Sequence, residues 1–130
     1  MRRTIQSGQL VVGGGRFPSF PTLGKSDISL NIDLVARPHV LGDIASAPFK
    51  SAAFSEVYFE RVPFTSFTGQ KIGALRESAR VLESRGRMVI ETGIAAPADE
   101  IVAGLRAAGF LNISVASLGL LRITAVLGGP

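Results

Sequence analysis

The chain has 130 residues, 46% hydrophobic and 18% charged, which is enough apolar material for one core-forming domain over 1–130 and argues against disorder. Fourteen Lys and Arg against ten Asp and Glu give a net charge of +4, compatible with an acidic or nucleic-acid partner. The bases are scattered, however, with no run beyond Arg2-Arg3, as on an ordinary surface. The absence of cysteine excludes disulfides and thiol catalysis, and no apolar run is long enough to span a bilayer. Met-Arg-Arg at the start is not followed by an apolar segment, so no export signal is expected.

In chain order, Gln9-Leu-Val-Val12 is a short β-branched run ending in Gly13-Gly14-Gly15, the pattern of a buried strand feeding a tight turn. Residues 16–26 hold Pro18, Pro21 and Gly24 with no helical period, so a loop is expected in place of a helix. Ile28 to Ile32 alternates apolar and polar residues and ends at Asp33, a second strand. Pro38 to Leu41 is a third, closing at Gly42-Asp43, and Phe54 to Phe59 is a fourth, ending at Glu60.

From Gln70 to Ser84 the period lengthens. Ile72, Leu75, Ala79 and Leu82 recur at helical spacing with charges between them, which predicts an amphipathic helix capped by Gly86. Arg87 to Ile90 reads as a fifth strand. Ala98 to Ala108 is a second helix, with Pro97 at its start, Asp99 and Glu100 in its first turn and Gly109 after its end. Leu111 to Ala116 and Leu120 to Leu127 are closing strands joined at Gly119 as an antiparallel hairpin. The expected fold is therefore α/β: a Rossmann-like, mostly parallel seven-stranded sheet with a C-terminal antiparallel hairpin and a reduced set of helices.

In an open parallel sheet, ligands bind beyond the carboxyl ends of the strands. Those ends carry Gly13 to Gly15, Asp33, Asp43, Glu60 and Glu91. Glycines there let a backbone approach a ligand closely, and a carboxylate after the second strand can accept both hydroxyls of a ribose. Acidic residues also cap turns and helices without any ligand, and that reading stands beside the functional one. The dinucleotide fingerprint is incomplete, because Pro18 occupies its last glycine position, so a pyrophosphate cofactor is disfavoured over a phosphate-free nucleoside. His39 follows Pro38 at the start of the third strand, on the wrong edge for such a site; Phe59, Phe64 and Phe67 suit core or loop cover better than a stacking wall, and Tyr58 reads as packing.

Leu10-Val-Val-Gly-Gly-Gly15, Leu30-Asn-Ile-Asp33, Gly42-Asp-Ile-Ala-Ser-Ala-Pro-Phe49, Phe54-Ser-Glu-Val57 and Ala74 to Leu82 with Gly86-Arg-Met-Val-Ile90 resemble class I S-adenosylmethionine-dependent methyltransferases. The resemblance implies S-adenosylmethionine as cofactor. It puts Gly13, Gly14 and Gly15 beside the amino acid and ribose, Asp33 on the ribose hydroxyls, and Asp43 and Ile44 at the adenine. Glu60 and the loop Arg61 to Phe64 would face the methyl acceptor (nucleic acid, protein or small molecule), with Glu60 as base or orienting group. The sequence departs from the family's pattern in carrying Val11 and Val12 where an acidic residue is usual, and in lacking the Asn/Asp-Pro-Pro-Tyr signature. Residues 9 to 92 also resemble the compact methyltransferase-type modules of bacterial polymorphic toxins. That likeness implies an effector domain with an immunity protein as partner, in the cytoplasm or delivered into a target cell. A non-catalytic interaction module and a nucleotide- or nucleic-acid-binding domain remain alternatives.

Overall fold

The structure is a computed structural model that describes residues 8–13, 28–31, 40–41, 44–60, 73–93, 95–117 and 119–129. Strands β1 (Gln9–Val12), β2 (Ile28–Asn31), β3 (Val40–Leu41), β4 (Phe54–Phe59), β5 (Leu82–Thr92), β6 (Phe110–Ser117) and β7 (Leu121–Leu127) lie in the order β3-β2-β1-β4-β5-β7-β6. β3, β2, β1, β4 and β5 are mutually parallel, and β7 runs antiparallel to both β5 and β6, so the sheet is mixed. Two helices complete the α/β fold among the described residues: α1 (Gly73–Val81) leads from β4 to β5, and α2 (Ala98–Ala107) leads from β5 to β6.

One sheet face holds the core. Leu10 and Val12 of β1, Val57 and Phe59 of β4, Met88 and Ile90 of β5 and Ile123 and Ala125 of β7 point to it at the strand period of two. Ala74, Leu75 and Val81 of α1 and Ile101 and Leu105 of α2 pack into the same cluster. On α2, Asp99 and Glu100 lie at the positive end of the helix dipole and Arg106 at the negative end. Gly109 adopts φ +100 after the helix and Gly119 φ +81 before β7, both in the left-handed region that glycine enters freely.

The largest correction concerns the junction of α1 with β5. The helix stops at Val81 and the strand begins at Leu82, well before the expected Arg87. Gly86 is therefore not a helix cap. Phe54 pairs with Leu82 and Glu56 with Arg87, so β5 bulges between them. The left-handed position in the bulge belongs to Arg85 at φ +64. Gly86 is needed for space: a Cβ there would lie 2.8 Å from the Glu83 carbonyl oxygen and 2.8 Å from Leu82 Cδ2.

The connection from β3 to β4 contains a 3-10 helix, Ile44–Ser46, that the sequence reading did not anticipate. The end of this connection is sewn to the end of α1, where the Ala52 and Ala53 amides donate to the carbonyls of Arg80 and Val81 at 2.9 and 2.8 Å. Those bonds satisfy carbonyls that a helix C-terminus leaves without intrahelical partners. The expectations for the Pro18–Pro21 loop, His39, Phe64 and Phe67 fall outside the described residues.

Candidate functional site

Strand order reverses between β1 and β4, since the chain builds outward from β1 through β2 and β3 and then returns to place β4 on the other side. Such a reversal opens a crevice at the carboxyl ends, because the connections leaving the two central strands diverge. At that edge the Gly13 amide donates to the Leu30 carbonyl at 2.9 Å and the Glu60 amide donates to the Val12 carbonyl at 2.9 Å. Gly13 leaves β1 at φ +79. A turn in that conformation, without a side chain, exposes its backbone to whatever lies beyond the sheet.

Glu60 sits directly across from this turn and is only 7% exposed. A carboxylate kept from water at a strand-order reversal can hold a polar group or accept a proton, whereas the same residue on a surface would be solvated. Ile44 begins the 3-10 helix that follows β3, and its side chain, 6% exposed, packs into the main core. Gly14, Gly15, Asp33 and Asp43 lie outside the described residues, as does the loop Arg61 to Phe64.

Glu91 takes a structural part. It lies within β5, opposite Arg122 of β7, and accepts from the Arg122 guanidinium at 2.7 Å. Its other oxygen accepts a hydrogen bond from the Tyr58 hydroxyl. Tyr58 belongs to a buried strip with Val11 and Val89 on the sheet face opposite the main core, so it packs as expected but also anchors this chain of contacts. Beside it, Glu56 of β4 accepts from Gln9 and faces Arg87, 3.8 Å away. These groups line an open groove of about 450 Å³ with Tyr58 and Val89 at its floor.

Burial, first of all, pushes the Tyr58 phenol well above its ordinary value; the hydrogen bond to Glu91 and the charges of Glu91 and Glu60 act in the same direction, and Arg122 opposes them. Because the folded value is raised, the stabilisation is complete below about pH 10, where the unfolded phenol begins to ionise, and is lost as pH climbs through the folded value. Tyr58 is the single tyrosine of the chain, so its tyrosinate absorbance is directly readable. Ionisation is expected only well above pH 10, together with unfolding. Titration near the ordinary value with the fold intact would contradict the Tyr58–Glu91 arrangement.

The sequence carries Glu77 and Arg80 within the segment that resembles the methyltransferases, but neither the groove pairs nor the reach of these two side chains from α1 to Ala47, after the 3-10 helix, is visible in it. Opposite charges at β5 and β7 positions become meaningful only once the register is known. Glu77 and Arg80 carry a weak local signal, their spacing of three on a helix.

Comparison with known proteins gives the fold a context. No family model matches the chain, and no curated protein matches it by sequence. Among solved structures, it is similar to a candidate S-adenosyl-L-methionine-dependent methyltransferase from Methanococcus maripaludis, with TM-score 0.72 and 14% identity over 97% of this chain and 80% of that one. It is also similar to geranyl diphosphate methyltransferase in complex with geranyl diphosphate and sinefungin, with TM-score 0.73 and 14% identity over 95% of this chain and 73% of that one. The chain shares its fold with S-adenosylmethionine-dependent methyltransferases. The cyclase SpnF is similar to the same degree, with TM-score 0.72 and 15% identity over 97% of this chain and 77% of that one, so the fold is not tied to one reaction. These neighbours lend no support to the toxin resemblance. Among the described residues no helix is long and apolar enough to cross a membrane.

Proposed function

We propose that the chain binds S-adenosylmethionine at the carboxyl edge of its sheet and transfers the methyl group to an acceptor held beside Glu60. The meeting of the Gly13 turn with Glu60 at the reversal of strand order supports this reading best. Bound there, the cofactor supplies a methyl group already activated on a sulfonium. The chain has to orient the acceptor's lone pair in line with the methyl carbon and exclude water. Gly13, Gly14 and Gly15 approach the amino acid and ribose, Asp33 takes the ribose hydroxyls, and Asp43 meets the adenine with the backbone of Ile44, whose side chain is in the core. Glu60 orients the acceptor and receives the proton that the acceptor loses when its bond to the methyl carbon forms. Nucleic acid, protein and small molecule are all open as acceptors. An effector role with an immunity protein as partner rests on sequence resemblance alone.

Isothermal titration with S-adenosylmethionine and S-adenosylhomocysteine tests the reading, and binding to both is expected. Absence of heat and of any thermal shift at millimolar ligand would overturn it. Gly13→Val should weaken binding by about tenfold or more, because a branched side chain in the left-handed region costs roughly 1–2 kcal/mol and occupies the ligand's approach. A Gly13→Val variant that binds as tightly as the parent would move the cofactor away from this turn.

A non-catalytic interaction module is the second reading. Val11 and Val12, which stand where the family's acidic residue is usual, are buried at 2% and 6% exposure, and neither offers a polar group to a ligand. This reading expects Asp33→Ala to leave every activity and partner unchanged. A large loss in that variant, with folding intact, would exclude it.

A further inference from the structure

Strand order leaves β3 at one edge of the sheet and β6 at the other. β3 is two residues long, whereas β6 runs for eight, so β6 carries the long open edge among the described residues. Such an edge offers unpaired N–H and C=O groups to any strand laid beside it, and proteins ordinarily blunt it with charge, proline or a bulge. The β6 sequence, Phe-Leu-Asn-Ile-Ser-Val-Ala-Ser, holds no charge and no proline. Its bulge lies between Leu111 and Ser114, and Ser114 to Ser117 pair in step with Thr124 to Leu121 of β7.

Leu111 and Val115 are the large apolar side chains that stand exposed among the described residues, and both belong to β6. They point to opposite faces of the sheet. Val115 pairs with Ile123, which is in the main core, and Leu111 pairs with Val126, the partner of the groove residue Arg87. A layer packed on either face covers one of the two, whereas a strand added along the edge flanks both.

We propose that β6 is a self-association surface, pairing antiparallel with β6 of a second copy about a twofold axis at Val115. Charge selects this occupant. The strand itself is uncharged, so two copies of it meet without repulsion although each chain carries +4. The twofold axis stands perpendicular to the joined sheet, so the two α2 helices, each packed against its own β6, lie on one face and run antiparallel. The exposed Asp99 and Glu100 in the first turn of each helix then face the exposed Arg106 in the last turn of the other, and the helix dipoles oppose. Because side chains alternate with a period of two, the axis sets one residue opposite itself. Val115 takes that place as the exposed apolar residue of the regular stretch, so its two copies cover each other.

Sedimentation equilibrium of the full chain should show a monomer–dimer equilibrium, with the dimer dominant at about 100 μM. Val115→Lys sets like charges across the axis and should raise the dissociation constant about tenfold or more, with the circular dichroism spectrum unchanged. The chain has no cysteine, so Val115→Cys supplies a single thiol, and oxidation should join it into a covalent dimer. Lys50→Cys, exposed on the connection between β3 and β4, should stay monomeric under the same oxidation. The cysteine pair carries the test if Val115→Lys does not fold. Three results would overturn the proposal: a parent that stays monomeric at about 100 μM, a dimer that Val115→Lys leaves intact, or association that grows beyond two chains. The first of these would turn the edge over to a strand from another protein.

Discussion

Phe59→Ala is expected to cost about 3–5 kcal/mol of folding stability. Phe59 is fully buried, 0% exposed, and ends β4 between Val12 of β1 and Ile90 of β5. Removing the ring forfeits its transfer free energy and leaves a cavity, which strands locked on both sides in a parallel ladder cannot close by moving together. Domains of this kind hold about 5–15 kcal/mol in total, so the variant should be marginally folded. Urea denaturation measures the loss, and Phe59→Leu, which keeps most of the volume, should lose less than about 1.5 kcal/mol. The effect reaches the candidate site because Glu60 is the next residue and its amide is tied to β1. A loss under about 1 kcal/mol for Phe59→Ala would mean that the centre of the sheet relaxes freely.

Gly86→Val should be nearly as damaging, at about 3 kcal/mol. The added Cβ meets the Glu83 carbonyl oxygen at 2.8 Å, a backbone atom fixed by the bulge, and Leu82 Cδ2 and Cβ at 2.8 and 3.2 Å. Leu82 is itself 2% exposed and has little room to retreat. The bulge must therefore open, carrying the start of β5 away from Phe54 and disturbing the end of α1 that joins it. Thermal and urea unfolding should agree on the loss. A neutral Gly86→Val would mean that the bulge yields around the added Cβ at little cost.

The two cases differ in how far they were legible. Phe59 stands in an apolar run that ends at a charged residue, and such a run has the same strand signature wherever it packs. Gly86 follows a helical period and precedes an apolar run, so the local pattern favours a cap; the decisive neighbour, the Glu83 carbonyl, is revealed only by the folded bulge. Within the site, Gly13 was legible as a turn because glycines after a β-branched run have few other uses. Glu60 was legible as a strand end, but its burial was not. Tyr58, Glu91 and Arg122 come from three different strands, and nothing in a linear pattern says that they touch.

Sequence by itself determined the elements whose causes are local: the bounds of β1 and β4, the placement of α2 between Pro97 and Gly109, and the closing hairpin about Gly119. Period, capping and left-handed turns are short-range physics, set by a residue and its near neighbours. Tertiary structure alone decided the strand order, the bulge that lengthens β5 at the expense of α1, and the Glu77–Arg80 hold on Ala47. Each of these depends on which distant segments share a core and in what register, and a carboxylate thirty residues from an amide has no local sign that the two will meet.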